Sequence, residues 1–285
     1  MNIKILTPDK NEISFSTMAF SGGERHIQIA DMDIPNVTEL VIRANIMSSS
    51  DLMDLVLVEN ALRHQYGEDL KVVLEIPYMP YARQDRVCAP GQAFSMEVFA
   101  RVLGLMNIEQ IITWDCHSNV GTELTDATSI DSAEIIKTDE QLVELLRDNN
   151  TVLVCPDKGA VARCIDIKNR VGINDIVFCE KQRDPATGKI QQTNVLADDL
   201  SGKHAVITDD ICDGGYTFIN IAKELRKKNV QNITLFVTHG IFSKGLSVFD
   251  DLVDQIVTTN SFPQESSPKL RTINFEYNFN NQQGE

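Results

Sequence analysis

Short apolar runs alternate with helix-spaced segments along most of this chain, and that alternation limits the fold more than any other feature. Leu40–Ile46, Lys71–Ile76 and Gln110–Trp114 read as buried strands. Thr151–Cys155, Asp175–Cys179, Ala205–Thr208, Val230–Val237, Gln255–Thr259 and Arg271–Phe275 take the pattern up again. Between them, Leu52–Leu62, Phe94–Met106, Glu140–Arg147, Val161–Arg170 and Phe218–Arg226 carry apolar residues at helical spacing. Strands alternating with helices form parallel sheets covered by helices on their faces. The pattern runs twice, which predicts an α/β protein of two similar domains, 1–140 and 141–285. Asn2–Leu6 adds an early strand. Ile13–Phe20 and His26–Ile29 flank Ser21-Gly22-Gly23-Glu24, a turn of hairpin type. The tail Asn278–Glu285, rich in Asn and Gln, is expected to fray.

Charge and cysteine usage narrow the function. The balance of 26 basic against 41 acidic residues leaves a net charge of −15. That excludes a nucleic-acid binder working by phosphate neutralisation, and any phosphate ligand must meet locally concentrated cations. The six cysteines show no CxxC pair or metal spacing, so buried thiols in a reducing compartment are expected. No apolar run is long enough to span a membrane, and no signal-peptide core opens the chain. The expectation is a cytoplasmic protein without membrane or nucleic-acid partners.

The chemistry gathers at strand ends, where open α/β sheets bind their ligands. Ala205–Thr208 leads through Asp209, Asp210, Asp213, Gly214, Gly215, Tyr216 and Thr217 into the Phe218–Arg226 helix. This strand–turn–helix crossing aims backbone N–H groups and a positive dipole end at a phosphate. The glycines allow positive φ and close approach of the backbone. Asp209 and Asp210 can accept hydrogen bonds from vicinal hydroxyls, directly or through a divalent cation, so a ribose phosphate suits the segment. Pro77–Arg86 offers two tyrosines and the cations Arg83 and Arg86. His117 follows Gln110–Trp114 and can ligate a cation or bind phosphate. Asp157 follows Thr151–Cys155 and either helps hold Mg²⁺ or caps the next helix. Lys181 and Arg183 open a polar loop, Lys181–Lys189, able to close over a triphosphate.

Tyr81-Ala82-Arg83-Gln84-Asp85-Arg86, Asp115-Cys116-His117, Pro156-Asp157, Lys181-Gln182-Arg183 and Asp209-Asp210-Ile211-Cys212-Asp213 together resemble the ordered motifs of ribose-phosphate diphosphokinases, the phosphoribosyl pyrophosphate (PRPP) synthetases. Phe20–Glu24 and His239–Ser243 add to the match. The resemblance implies two tandem phosphoribosyltransferase-like domains, ATP binding in the first and ribose-phosphate binding in the second. It implies that Arg83 and Gln84, in a motif with Asp85 and Arg86, hold ATP. Phe20 and Glu24 would reach the adenine of a neighbouring subunit's ATP, in a homo-oligomer built of dimers or hexamers. His117 and Asp157 would hold Mg²⁺, Lys181 and Arg183 would stabilise the transition state, and Asp209 to Thr217 would bind the ribose phosphate. The implied reaction moves the β,γ-diphosphoryl group of ATP to an anomeric hydroxyl and releases AMP. A PRPP-consuming phosphoribosyltransferase and a catalytically silent regulatory subunit are the alternatives.

Three departures stand out. Gly22 replaces the family's usual Asp. Val87-Cys88-Ala89-Pro90-Gly91 replaces a charged segment tied to allosteric phosphate. Asp213-Gly214-Gly215-Tyr216-Thr217 replaces Asp-Thr-Ala/Gly-Gly-Thr, removing a hydroxyl and bulk at two positions and adding an aromatic ring. A ribose extended beyond its 5′-phosphate, such as ADP-ribose, would use that space and stacking face.

Overall fold

The computed structural model describes residues 2–30, 37–183 and 190–279, without the side chains of 181–183 and 190–192. It divides into two compact units. The first is Met1–Ile130 with Tyr277–Glu285, and the second is Asp131–Glu276.

In the first unit the order is β1 (Ile3–Leu6), β2 (Glu12–Ile13), β3 (Phe15–Ala19), β4 (Arg25–Ile29), β5 (Glu39–Ala44), α1 (Ser49–Tyr66), β6 (Lys71–Ile76), α2 (Ser95–Leu103), β7 (Gln110–Trp114), α3 (Asn119–Thr125) and β8 (Ala127–Ile130). The sheet runs β2-β1-β5-β6-β7-β8, with β5 to β8 parallel and β1 antiparallel to its neighbours, while β3 and β4 form a separate hairpin. Strand alternation sends Leu40, Ile42, Leu74 and Ile76 to the face where Leu55, Val58 and Leu62 of α1 and Met96, Phe99 and Leu103 of α2 are buried. Val41, Val73 and Ile112 point the other way, and Tyr277 and Phe279 pack on them. Phe279 in the tail, with Tyr277 just before it, covers an apolar sheet face, so the start of the tail is docked rather than frayed, while 280–285 lie outside the described residues. On that side Glu75, wholly buried, accepts from Arg43 Nε at 2.6 Å and Trp114 Nε1 at 3.0 Å.

The second unit comprises α4 (Ser132–Lys137), α5 (Glu140–Arg147), β9 (Thr151–Cys155), α6 (Val161–Val171), β10 (Asp175–Arg183), β11 (Ile190–Val195), β12 (His204–Cys212), α7 (Tyr216–Lys227), β13 (Asn232–Gly240), a short 3₁₀ turn, β14 (Gln255–Thr259) and β15 (Leu270–Ile273). Its sheet runs β11-β10-β9-β12-β13-β14-β15, parallel except for β11. Phe218, Ile221 and Leu225 of α7 are buried with Val152, Val154, Ala205 and Ile207 on one face. Cys164 Sγ of α6 lies 3.4 Å from Thr208 Oγ1, which points to the other face.

The domain boundary falls ten residues earlier than the sequence pattern places it, and the tail leaves the second unit. Burial and side-chain pairing both act here: Ala133, Ile135 and Ile136 of α4 are wholly buried, and Ser132 Oγ lies 3.4 Å from Thr238 Oγ1 of β13. Arg170 on α6 bonds to both Asp131 and Glu134, and Arg271 bonds to Asp139, which also caps α5 through the Leu142 amide. Together these contacts place 131–139 with the second unit. No helix among the described residues is long and apolar enough to cross a membrane.

Candidate active site

In the second sheet β9 and β12 are neighbours, but their crossovers diverge. From β9 the chain passes through α6 to β10 on one side, and from β12 through α7 to β13 on the other. This divergence makes a crevice beyond the C-terminal ends of β9 and β12. Asp157 follows β9, and Asp209 to Thr217 end β12 and open α7. Topology alone therefore brings these two predicted groups together.

The acidic pair is strand, not turn. β12 remains paired to β13 as far as Ile211↔His239 and Cys212↔Gly240, so the turn starts only at Asp213. Asp210 is 4% exposed, and its backbone N–H donates to Asp209 Oδ1 at 3.0 Å. Arg163 of α6 places Nη1 3.0 Å from Asp209 Oδ1 and Nη2 3.4 Å from Asp210 Oδ2. Burial pushes the Asp209 carboxyl well above the usual carboxylate range, the Asp210 charge adds to the rise, and the Arg163 guanidinium opposes it.

Beyond the pair, the cradle is tightly held. Ile241 and Phe242 N–H both donate to Cys212 O, and Ser243 donates to Asp213 through both its N–H and its hydroxyl. Of the two glycines, only Gly215 lies in the left-handed region, at φ +77°. A Cβ there would stand 2.6 Å from Phe249 Cζ, whereas one at Gly214 would meet Lys244 Cγ at an ordinary 3.7 Å. This corrects the sequence reading twice. Gly214 is not there for positive φ, and the bulk missing at Gly215 makes room for the protein's own buried ring rather than for a ligand. Tyr216, 62% exposed, and Thr217 open α7, whose first amides have no intrahelical partner.

Asp157 Oδ1 accepts from the amides of Gly159 at 2.9 Å and Ala160 at 3.2 Å, so it closes the turn ahead of α6 and does not cap the helix, whose N-cap is Ala160 without a side-chain cap bond. Lys181 and Arg183 correct the loop assignment. β10 continues through them, with Lys181↔Thr193 in register and a bulge at Gln182/Arg183. Their side chains and residues 184–189 lie outside the described residues.

Arg163 was missed by the sequence reading, although a signal existed. It is a cation in the first turn of α6, where the helix dipole disfavours positive charge and no acidic residue accompanies it.

The first unit gathers its own set at the ends of β6 and β7. Ser118 Oγ donates to Asp85 Oδ2 at 2.8 Å, which ties the Tyr81–Arg86 loop to the segment carrying His117. A Cβ at Gly121 would meet Cys116 Sγ, Ala82 and Met79, so α3 starts packed against both loops. Arg83, Gln84, Arg86 and His117 are exposed. Tyr81 is 38% exposed, with its ring in a tilted contact 5.6 Å from Phe99. On the β3–β4 hairpin, Phe20 is 52% exposed beside His26, and the Glu24 carboxyl folds over Gly22, where a Cβ would sit 2.5 Å from Oε2. Among the described residues no three His, Cys, Asp or Glu side chains form a ready metal cluster.

Known proteins follow the same division. A model of the N-terminal domain of ribose phosphate pyrophosphokinase matches residues 10–106, and a phosphoribosyl transferase domain model matches 126–265. The ribose-phosphate pyrophosphokinase of Pyrococcus furiosus is 29% identical over 248 residues, covering 86% of this chain and 84% of its own length. That of Mycoplasmopsis pulmonis is 31% identical over 225 residues, covering 75% and 66%. The crystal structure of phosphoribosylpyrophosphate synthetase from Mycobacterium smegmatis shares the fold, with a TM-score of 0.76 at 20% identity over 93% of this chain and 87% of that one. Because both domain models match in order and relatives of one name align along most of its length, the chain belongs to the ribose-phosphate pyrophosphokinase family of diphosphotransferase enzymes.

Proposed function

We propose that this enzyme transfers the β,γ-diphosphoryl group of ATP to the anomeric 1-hydroxyl of a ribose 5′-phosphate and releases AMP. The acceptor is ribose 5-phosphate itself or one whose 5′-phosphate continues into a further group, as in ADP-ribose. The observation that carries the reading is the meeting of Asp209 and Asp210 with the N-terminus of α7 at the crevice between β9 and β12. Carboxylates there suit the ribose hydroxyls, and helix amides suit the 5′-phosphate.

The first unit is proposed to hold ATP through Arg83 and Gln84, beside Asp85 and Arg86, with Phe20 and Glu24 serving the adenine of a neighbouring subunit in a homo-oligomer. His117 and Asp157 are the proposed protein donors to Mg²⁺. A single protein donor in each unit fits ions that take most of their ligands from water and substrate phosphates. The ion supplies charge neutralisation on the transferring oxygens. Lys181 and Arg183 are proposed to add to it from β10, and no covalent intermediate is needed when alignment and charge do the work.

Two features favour the extended acceptor. Tyr216 presents an exposed ring beside the cradle, and Lys244 lies against Gly214, where a second phosphate would follow the first. Incubation with ATP, Mg²⁺ and either ribose 5-phosphate or ADP-ribose, scored for AMP, tests the reading. AMP release with at least one of the two acceptors is expected, and release with ADP-ribose supports the extended one. Strict preference for ribose 5-phosphate ends the extended-acceptor reading, and PRPP consumption without AMP release from ATP would make the chain a phosphoribosyltransferase. Binding of nucleotide without turnover of either acceptor would make it a regulatory subunit.

A further inference from the structure

Arg163 stands where local chemistry argues against it. It occupies the third position of α6, inside the turn whose amides carry the positive end of the dipole, and no first-turn acid offsets it. It is also largely buried, with its side chain 18% exposed. A residue that breaks a local rule is expected to be compensated by a tertiary partner. Here the compensation is a fork: one guanidinium spans Asp209 at 3.0 Å and Asp210 at 3.4 Å. Without it, two adjacent carboxyl groups would share a desolvated strand end with no cation to hold them together. An unbraced pair loses the fixed separation at which both can accept from one sugar.

We propose that Arg163 is the positioning residue of the acceptor loop: its fork braces Asp209 and Asp210 side by side, so that both present acceptor oxygens to the vicinal hydroxyls of the ribose. Arg163 touches no reacting atom in this account and acts through the two carboxylates. The inference rests on the reading of this loop as the ribose-phosphate site, and it adds the residue on which the recognition of the sugar depends. It also explains why the fork is an arginine. A lysine supplies one point charge and cannot hold two carboxylates at a fixed separation.

The test compares R163Q and R163K with wild type by steady-state kinetics against each substrate. It adds calorimetric binding of ribose 5-phosphate and ADP-ribose in the presence of α,β-methylene-ATP, whose scissile bridge cannot be cleaved. Truncating one partner of a desolvated charge pair weakens binding by about 30-fold or more. For R163Q the expected result is a loss of that size in acceptor KM and acceptor affinity, with the KM for ATP within about threefold of wild type. R163K should recover part of the loss. If Arg163 works through Asp209, R163Q added to D209N should worsen acceptor affinity by less than about twofold, because groups acting as a unit are not additive.

Acceptor affinity unchanged in R163Q, equal losses for both substrates, or losses that add fully with D209N each overturn the proposal. Should R163Q fail to fold, R163K and its cycle with D209N carry the same comparison. Wild type that binds no ribose phosphate at all would instead sink the reading of the loop, and the role of Arg163 with it.

Discussion

Alanine at position 215 should damage the second unit through two separable costs. The residue sits at φ +77°, where a side chain costs about 1–2 kcal/mol. Its new Cβ would lie 2.6 Å from Cζ and 3.1 Å from Cε1 of Phe249, a ring 1% exposed and 6.3 Å from the ring of Phe242 in an edge-on contact. Displacing a ring packed that tightly costs typically 1–3 kcal/mol. Together the loss is about 2–5 kcal/mol, and in a domain of this size it lowers the melting midpoint by roughly 5–15 °C. Differential scanning calorimetry should resolve the shift. Gly214→Ala is the control, because it meets only Lys244 at 3.7 Å without positive φ, and about 0.5 kcal/mol or less is expected. The combination G215A/F249L should lose less than the sum of the two single changes, since leucine vacates the Cζ position. Equal melting of Gly215→Ala and Gly214→Ala would refute the packing argument, and strict additivity with Phe249→Leu would refute the clash.

Lys181→Ala should lower kcat by about 10²–10⁴-fold, the scale of removing one electrostatic stabiliser, and full activity would remove Lys181 from the mechanism. Activity should depend little on inorganic phosphate, because Val87–Gly91 supplies no charged side chain to bind it; collapse of turnover in phosphate-free buffer would count against this. Glu75→Ala strips the partner from Arg43 and Trp114 and should destabilise the first unit by about 3–5 kcal/mol, reported by the fluorescence of Trp114, the chain's single tryptophan. Burial holds the Glu75 carboxyl above its usual range despite Arg43, so the folded unit retains a proton that the unfolded chain has lost. Stability from this group is complete below the unfolded value and is lost as pH rises through the folded one. The gap in stability between wild type and Glu75→Gln should therefore vary across mildly acidic pH, and a constant gap would refute the assignment.

Periodicity made most of the fold legible. β6, β7, α5, β9 and β14 fall where the apolar pattern puts them, because each is a run whose local period matches its burial. Errors gather where a strand outlasts its apolar stretch. β12 extends through Asp209–Cys212 and β10 through Lys181–Arg183, since backbone pairing with β13 and β11 does not require apolar side chains. The candidate site was legible as a set of motifs at strand ends, but its internal wiring was not. Arg163 and Asp209 are 46 residues apart, and no local pattern pairs them.

By itself the sequence determined a twice-repeated α/β alternation, an acidic surface, and a strand-to-helix crossing able to take a sugar phosphate, because periodicity, net charge and turn chemistry are all carried by neighbouring residues. Only the tertiary structure decided that Arg163 binds the two aspartates, that Gly215 yields its space to Phe249, that 131–139 joins the second unit, and that Tyr277 and Phe279 close a face of the first. Each of those outcomes is a contact between segments distant in the chain, settled by which buried charge or apolar face still lacked a partner once the sheets had formed.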